Sequence, residues 1–214
     1  MTDATPGTPR PATTRDEQRE ASRRRLVDAA LAILAEEGYG RLTIKQVGDR
    51  AGVSRGLVNY HFASKAGLIE AVAADIREGL VEQVRAVPGY ADMSGLEAVL
   101  ATMDRYFEQL AAPEASVRAK ALLVLLVEVF AGPEGPAETM AGHLDLVHAA
   151  IEADIRRGLA DGSIRADADP VAHALLVESI ARGVLLQYQM RTPRAFLGEI
   201  GRAAHEAVRR ALTR

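Results

Sequence analysis

The stretch TIKQVGDRAGVSRGLVNYHFASK, residues 43–65, decides how this chain reads, because it spells two short helices joined by a sharp corner. Thr43 suits a helix N-cap, and Ile44 and Val47 give an i, i+3 apolar stripe before Ala51 and Gly52 end the first helix. Gly52 tolerates the positive φ that a tight turn between helices needs. Ser54 then caps a second helix. With Val58 turned to the core, Phe62 at i+4 joins it, while Gly56 and Tyr60 fall opposite, flanked by Leu57 and Asn59. A solvated helix face normally carries charge, whereas one of Gly, Leu, Asn and Tyr suits base edges and sugar-phosphate. The block predicts a helix-turn-helix whose second helix reads DNA.

Outward from this block, residues 16–37 predict a helix with Leu26, Ala29, Ala30, Ile33 and Leu34 at i, i+3, i+4, i+7 and i+8, stopped by Gly38. Ser64 caps a helix reaching about residue 87, closed by Pro88 and Gly89. Apolar periodicity predicts further helices over residues 94–111, 114–131 and 137–160, one opened by Pro170 and running to 190, and a last one from Pro193. No segment alternates as a strand would, so the fold class is all-α with about nine helices. A three-helix head, residues 15–66, precedes a helical-bundle body, residues 67–214. The Thr/Pro-rich residues 1–14 predict a disordered tail.

Composition narrows the function. The 214 residues hold no cysteine, which excludes disulfides, zinc ribbons and thiol catalysis. Net charge is −3, yet residues 1–65 carry eleven Lys and Arg against eight Asp and Glu, a positive head on an acidic body that suits docking to DNA by one end. The longest apolar run, AKALLVLLVEVF at 119–130, is interrupted by Glu128 and followed by Gly132 and Pro133, and the first residues lack an apolar signal core. These features predict a cytoplasmic protein with no membrane partner. Neither a nucleophile elbow, a phosphate-cradling glycine loop nor an HExxH pair is present, which speaks against an enzyme, and no cofactor is expected. His143 and His148 are five apart and do not share a helix face, and Asp145 does not repair the spacing, so a metal is not expected.

The block at 43–65 also resembles the DNA-binding domain of the TetR family of bacterial transcription regulators. Ala51-Gly52-Val53-Ser54, His61-Phe62 and Ser64-Lys65, followed by Leu68 and Ile69, carry the likeness over roughly residues 20–70. The resemblance implies a nine-helix repressor, released from operator DNA by a small-molecule effector bound in its body. It also implies that Lys65 is a phosphate ligand. Where the family most often has tyrosine, three residues before the phenylalanine, this chain has Asn59, and its tyrosine follows at Tyr60. The family tyrosine's phosphate contact is therefore not carried over, and Asn59 offers a bidentate amide to adenine instead.

Definite roles follow for the head. Thr43 and Ser54 lie at helix N-termini, where backbone N–H groups attract phosphate oxygens. Arg55 reaches a guanine or a phosphate, Gly56 and Leu57 lie on the reading face, and Tyr60 meets sugar-phosphate or thymine. His61 either packs or touches the DNA backbone, while Lys45 and the run Arg23-Arg24-Arg25 contact phosphate or form a solvated face. In the body, Met103, Tyr106, Phe107, Phe130, Met140 and Tyr188 either enclose a pocket for a small apolar effector or are plain core. The segment 171–186 is apolar nearly all round and the last helix carries a clean apolar stripe. Leu176, Ile180, Val184, Phe196, Ile200, Ala204 and Ala207 are thus expected in a four-helix homodimer interface, the alternative being that the two helices only cap the monomer core. The sequence leaves open a DNA-bound regulator or architectural factor that senses no small molecule.

Overall fold

A computed structural model describes residues 14–110, 112–130, 136–191 and 195–213. Residues 1–13 of the expected tail lie outside them, and Thr14 already opens the first helix. The described residues form nine α-helices and no strand: α1 Thr14–Glu37, α2 Ile44–Ala51, α3 Arg55–His61, α4 Lys65–Arg85, α5 Gly95–Leu110, α6 Pro113–Glu128, α7 Ala137–Asp161, α8 Pro170–Arg191 and α9 Ala195–Thr213. Two short 3-10 turns, Tyr39–Arg41 and Tyr90–Asp92, were not legible in the periodicity, since three residues are too few to show one.

Caps set the helix ends. Gly38, at φ 85°, closes α1 by donating its N–H to the carbonyls of Ile33 and Leu34. Ser94 and Glu97 form a reciprocal capping box: Ser94 Oγ accepts from Glu97 N at 3.4 Å, and Ser94 N donates to the Glu97 carboxylate at 2.8 Å. Asp169 accepts from the N–H groups of Val171 and Ala172 beside Pro170, which opens α8. The start of α5 is also seated on the end of α7. Gly95 N donates to Asp161 Oδ2 at 2.8 Å, and a Cβ on Gly95 would stand 2.0 Å from Gly158 N.

Apolar side chains sort into two cores. The stripe Leu26, Ala29, Ala30, Ile33 and Leu34 is buried as its spacing predicts, against Val47, Val58, Phe62, Leu68 and Val72. This core crosses the expected division at residue 66, since Leu125 of α6 and Met140 of α7 complete it. The head therefore shares apolar surface with the body. Each such fully buried side chain contributes roughly 1.5–3 kcal/mol, so α6 and α7 brace the head firmly. The second core joins α5, α7, α8 and α9 through residues such as Val99, Met103, Phe107, Ile155, Leu185 and Val208.

Helix α8 buries Ala174, Val177, Val184 and Leu185 in the second core and carries a further apolar face outside it. Glu178, its one acid, is 4% exposed and held by His148 Nδ1 at 2.8 Å and by Arg182. Val171, Leu175, Leu176, Leu186 and Met190 are exposed instead, at 41–70%. A helix with its carboxylate inside and leucines outside has an apolar face still to be covered.

Candidate nucleic-acid interface

The geometry of the corner follows from four small residues. Thr43 has extended backbone and its Oγ1 accepts from Gln46 N at 3.1 Å, opening α2. Gly52, at φ 68°, closes α2, and Ser54 Oγ accepts from Leu57 N at 3.3 Å to open α3. Ser64 does the same for α4, accepting from Gly67 N at 3.1 Å. Gly48, the last of the corner's own four beside Thr43, Gly52 and Ser54, was missed by the periodicity. A Cβ there would lie 3.0 Å from the Val53 carbonyl oxygen and 3.2 Å from Val58 Cγ2, so α3 approaches α2 this closely only over glycine. A glycine inside a short helical pattern was the available signal.

Around α3 the inward and outward faces separate as expected. Val58 and Phe62 are buried, while Ser54, Arg55, Gly56, Asn59 and Tyr60 are exposed and Leu57 and His61 are half-buried. Thr43 and Lys45 are exposed at the start of α2, with Lys45 Nζ 2.7 Å from Asp49 Oδ2. Lys45 must share or leave that carboxylate to meet a phosphate. Tyr60, 68% exposed, is held from two sides: the Arg19 guanidinium lies 6.0 Å from its ring centroid and the His61 ring stands edge-on at 5.2 Å. One turn on, Arg23 lies 5.7 Å from the Phe62 ring. Arg19 and Arg23 thus form a cationic wall on α1 beside α3. Their i, i+4 spacing was visible in the sequence, but not the partner face. Burial, with Arg19 and Arg23 beside it, holds the His61 imidazole below its ordinary pKa, so it is neutral at pH 7.

Lys65 has work within the fold. Its Nζ donates to the Tyr39 carbonyl at 3.1 Å and sits 3.7 Å from the centroid of the Tyr39 ring, and burial lowers its pKa. The ammonium ties the 3-10 turn after α1 to the start of α4, which fixes where any phosphate could reach it.

The residues expected around an effector are not brought together in one cavity. Met103 and Phe107 are buried in the second core, with Tyr106 and Tyr188 packed against it, and burial raises the Tyr106 phenol pKa. Met140 belongs to the head's core, and Phe130 is 89% exposed at the end of α6. The expected dimer residues divide as well. Val184 and Ala204 are buried in the chain's own core and Ile180 and Ile200 lie against it, while Leu176 and Ala207 are exposed. The side chain of Phe196 lies outside the described residues. Among the described residues no cluster of His, Asp and Glu could hold a metal, and no helix is long and apolar enough to cross a membrane.

A capped helix pair with an uncharged, exposed reading face lies within residues 26–72, which match the profile of bacterial regulatory proteins, tetR family. Residues 26–72 are thus similar to the TetR-family DNA-binding domain. The TetR-type head is also where relatives align: the HTH-type transcriptional regulator BetI of Escherichia coli O17:K52:H18 (strain UMN026 / ExPEC) is 34% identical over 101 residues, 45% of this chain and 50% of that protein. The chain spans about half the length of the curated relatives it matches. Solved structures extend the likeness in fold to the body. A TetR transcription regulator from Haloarcula marismortui ATCC 43049 has a TM-score of 0.74 at 20% identity, covering 91% of this chain and all of that one. A transcriptional regulator from Saccharomonospora viridis, in complex with choline, has a TM-score of 0.71 at 18% identity, covering 91% of this chain and 99% of that one.

Proposed function

We propose that this chain is a sequence-specific DNA-binding transcriptional regulator, a repressor that works in the cytoplasm as a twofold homodimer and leaves its operator when a small molecule binds. Residues 15–66 dock the DNA, and residues 67–214 dimerise and sense. The observation that carries the reading is the exposed face of α3, where Gly56, Asn59 and Tyr60 are uncharged and Arg55 supplies one cation beside the capped N-termini of α2 and α3. Thr43, Lys45, Ser54 and Lys65 serve phosphates, and Asn59 and Arg55 meet base edges. His61, being neutral and half-buried, is assigned to packing against Tyr60. The exposed apolar face of α8 supports the dimer: two copies pairing through Leu175, Leu176, Leu186 and Met190 would bury that face. The pairing would also set two recognition helices about 34 Å apart or at a multiple of it.

The test is selection of bound fragments from genomic DNA, then binding of the selected site by wild type and by Leu176→Glu. The expected result is a palindromic site, a dimer in solution, and a monomeric variant that loses the site. Recovery of fragments with no shared motif would overturn the reading. Release from that site is then assayed with a panel of small metabolites that includes choline, the ligand of the Saccharomonospora viridis structure. Retention against the entire panel favours a regulator without a small effector.

A further inference from the structure

A cleft of about 760 Å³ opens between α4 and α7 where both meet the end of the recognition helix. Its walls belong to different parts of the chain. Arg23 and His61 come from the head; Arg77 lies on α4, and Glu138, Thr139 and His143 on α7. Among the described residues Arg77 makes no ion pair, and neither do Glu70, on the α4 wall, or Glu138. The buried floor holds a second unfinished group. His143 is 4% exposed, its ring is bonded to the Ala73 carbonyl, and its Nδ1 has no hydrogen-bond partner. Burial, with Arg77 and Arg182 nearby, keeps this imidazole neutral, so the orphaned nitrogen is an acceptor in want of a donor.

We propose that this cleft binds a small polyhydroxylated organic anion, a sugar acid or sugar phosphate. Two guanidinium groups, Arg23 and Arg77, line the cleft, and guanidinium recognises a carboxylate or phosphate with paired, charge-assisted bonds. The carboxylates of Glu70 and Glu138 repel a bare anion but accept from hydroxyls, and a hydroxyl pressing into the floor gives His143 Nδ1 its donor. That set of partners rejects an apolar molecule and a simple cation alike. Arg23 and His61 belong to the head and Arg77 to the linking helix α4, so a molecule bridging them would favour one position of α4 against the head over another. Differential affinity is the requirement for shifting that equilibrium. The consequence for DNA rests on the regulator reading above; the binding does not.

The experiment is titration calorimetry of the full chain without DNA, using gluconate and glucose 6-phosphate as probes and glucose and choline as controls. At least one anionic probe is expected to bind, with glucose and choline silent. Arg77→Gln should weaken it about tenfold or more, the loss of one charge-assisted contact. Arg202→Gln, on α9, should leave it unchanged, and the His143 ring nitrogen resonance should move on binding. Failure of both anions, equal binding of glucose, or indifference to Arg77→Gln would overturn the site. The two sugar anions distinguish carboxylate from phosphate as the recognised group. A separate measurement with the selected DNA site reads coupling. Anion binding without any DNA binding would sink the regulator reading and leave the cleft standing.

Discussion

Gly48→Ala tests whether close packing of α2 on α3 is what holds the reading face in place. Alanine in a helix interior is favoured over glycine by about 1 kcal/mol, so propensity alone predicts a more stable protein. Against this, the new Cβ would meet the Val53 carbonyl oxygen at 3.0 Å and Val58 Cγ2 at 3.2 Å. The first neighbour is backbone of the turn and the second is a β-branched side chain buried at 0% exposure, so neither yields without moving α3. Overpacking of this kind costs about 1–3 kcal/mol, leaving a net loss of about 0–2 kcal/mol. Gly142, in the interior of α7, is the control, because a Cβ there meets nothing within 4 Å. Gly142→Ala should gain up to about 1 kcal/mol. Denaturant unfolding at one fixed protein concentration gives both values, and fluorescence anisotropy on the selected site gives DNA affinity. Gly48→Ala should fall below wild type in stability and bind DNA at least about tenfold more weakly, a 1.4 kcal/mol change. If it matched Gly142→Ala in stability and kept wild-type affinity, the close approach would not be setting the position of α3.

Three further outcomes separate the roles assigned above. Asn59→Ala should cost roughly 1–3 kcal/mol of DNA binding and relax preference at one base pair per half-site, so an unchanged selected motif removes Asn59 from base readout. Lys65→Ala should flatten the salt dependence of binding by about one unit and, by freeing the Tyr39 carbonyl, cost about 1 kcal/mol of stability. A loss of stability with the wild-type salt slope would assign Lys65 to the fold alone. His143 is held neutral in the folded chain with its pKa lowered from 6.5 to about 4, so the unfolded chain takes up the proton first as pH falls. Stability is therefore full above pH 6.5 and lost between there and about 4, by about 3 kcal/mol in all. Wild type compared with His143→Asn over that window should show the difference, and parallel pH profiles would refute it.

The helix-turn-helix was legible because its signals are local. Thr43, Gly52 and Ser54 act within four residues of themselves, and Val58 and Phe62 declare the inward face by their spacing. The nine helices follow for the same reason, from 3.6-residue periodicity bounded by glycine and proline. Lys65 marks the limit of that reading: the family likeness named it a phosphate ligand, but only the fold brings the Tyr39 carbonyl, 26 residues away, to its ammonium.

What tertiary structure alone decided is which partner each face meets. The sequence gives Met140 and Met103 the same apolar character, yet one completes the head's core and the other lies in the body's. It shows α8 as apolar nearly all round, but not that Glu178 turns inward to His148 while Leu175 and Met190 turn out. Nor does it show the cleft lined by both Arg23 and Arg77, because its walls come from four helices, α1, α3, α4 and α7, spread over more than a hundred residues of sequence. Periodicity specifies that a face is to be buried, an interaction of a helix with itself and with water. Which face covers it is a matter of shape between distant segments, and that exists only once the chain has packed.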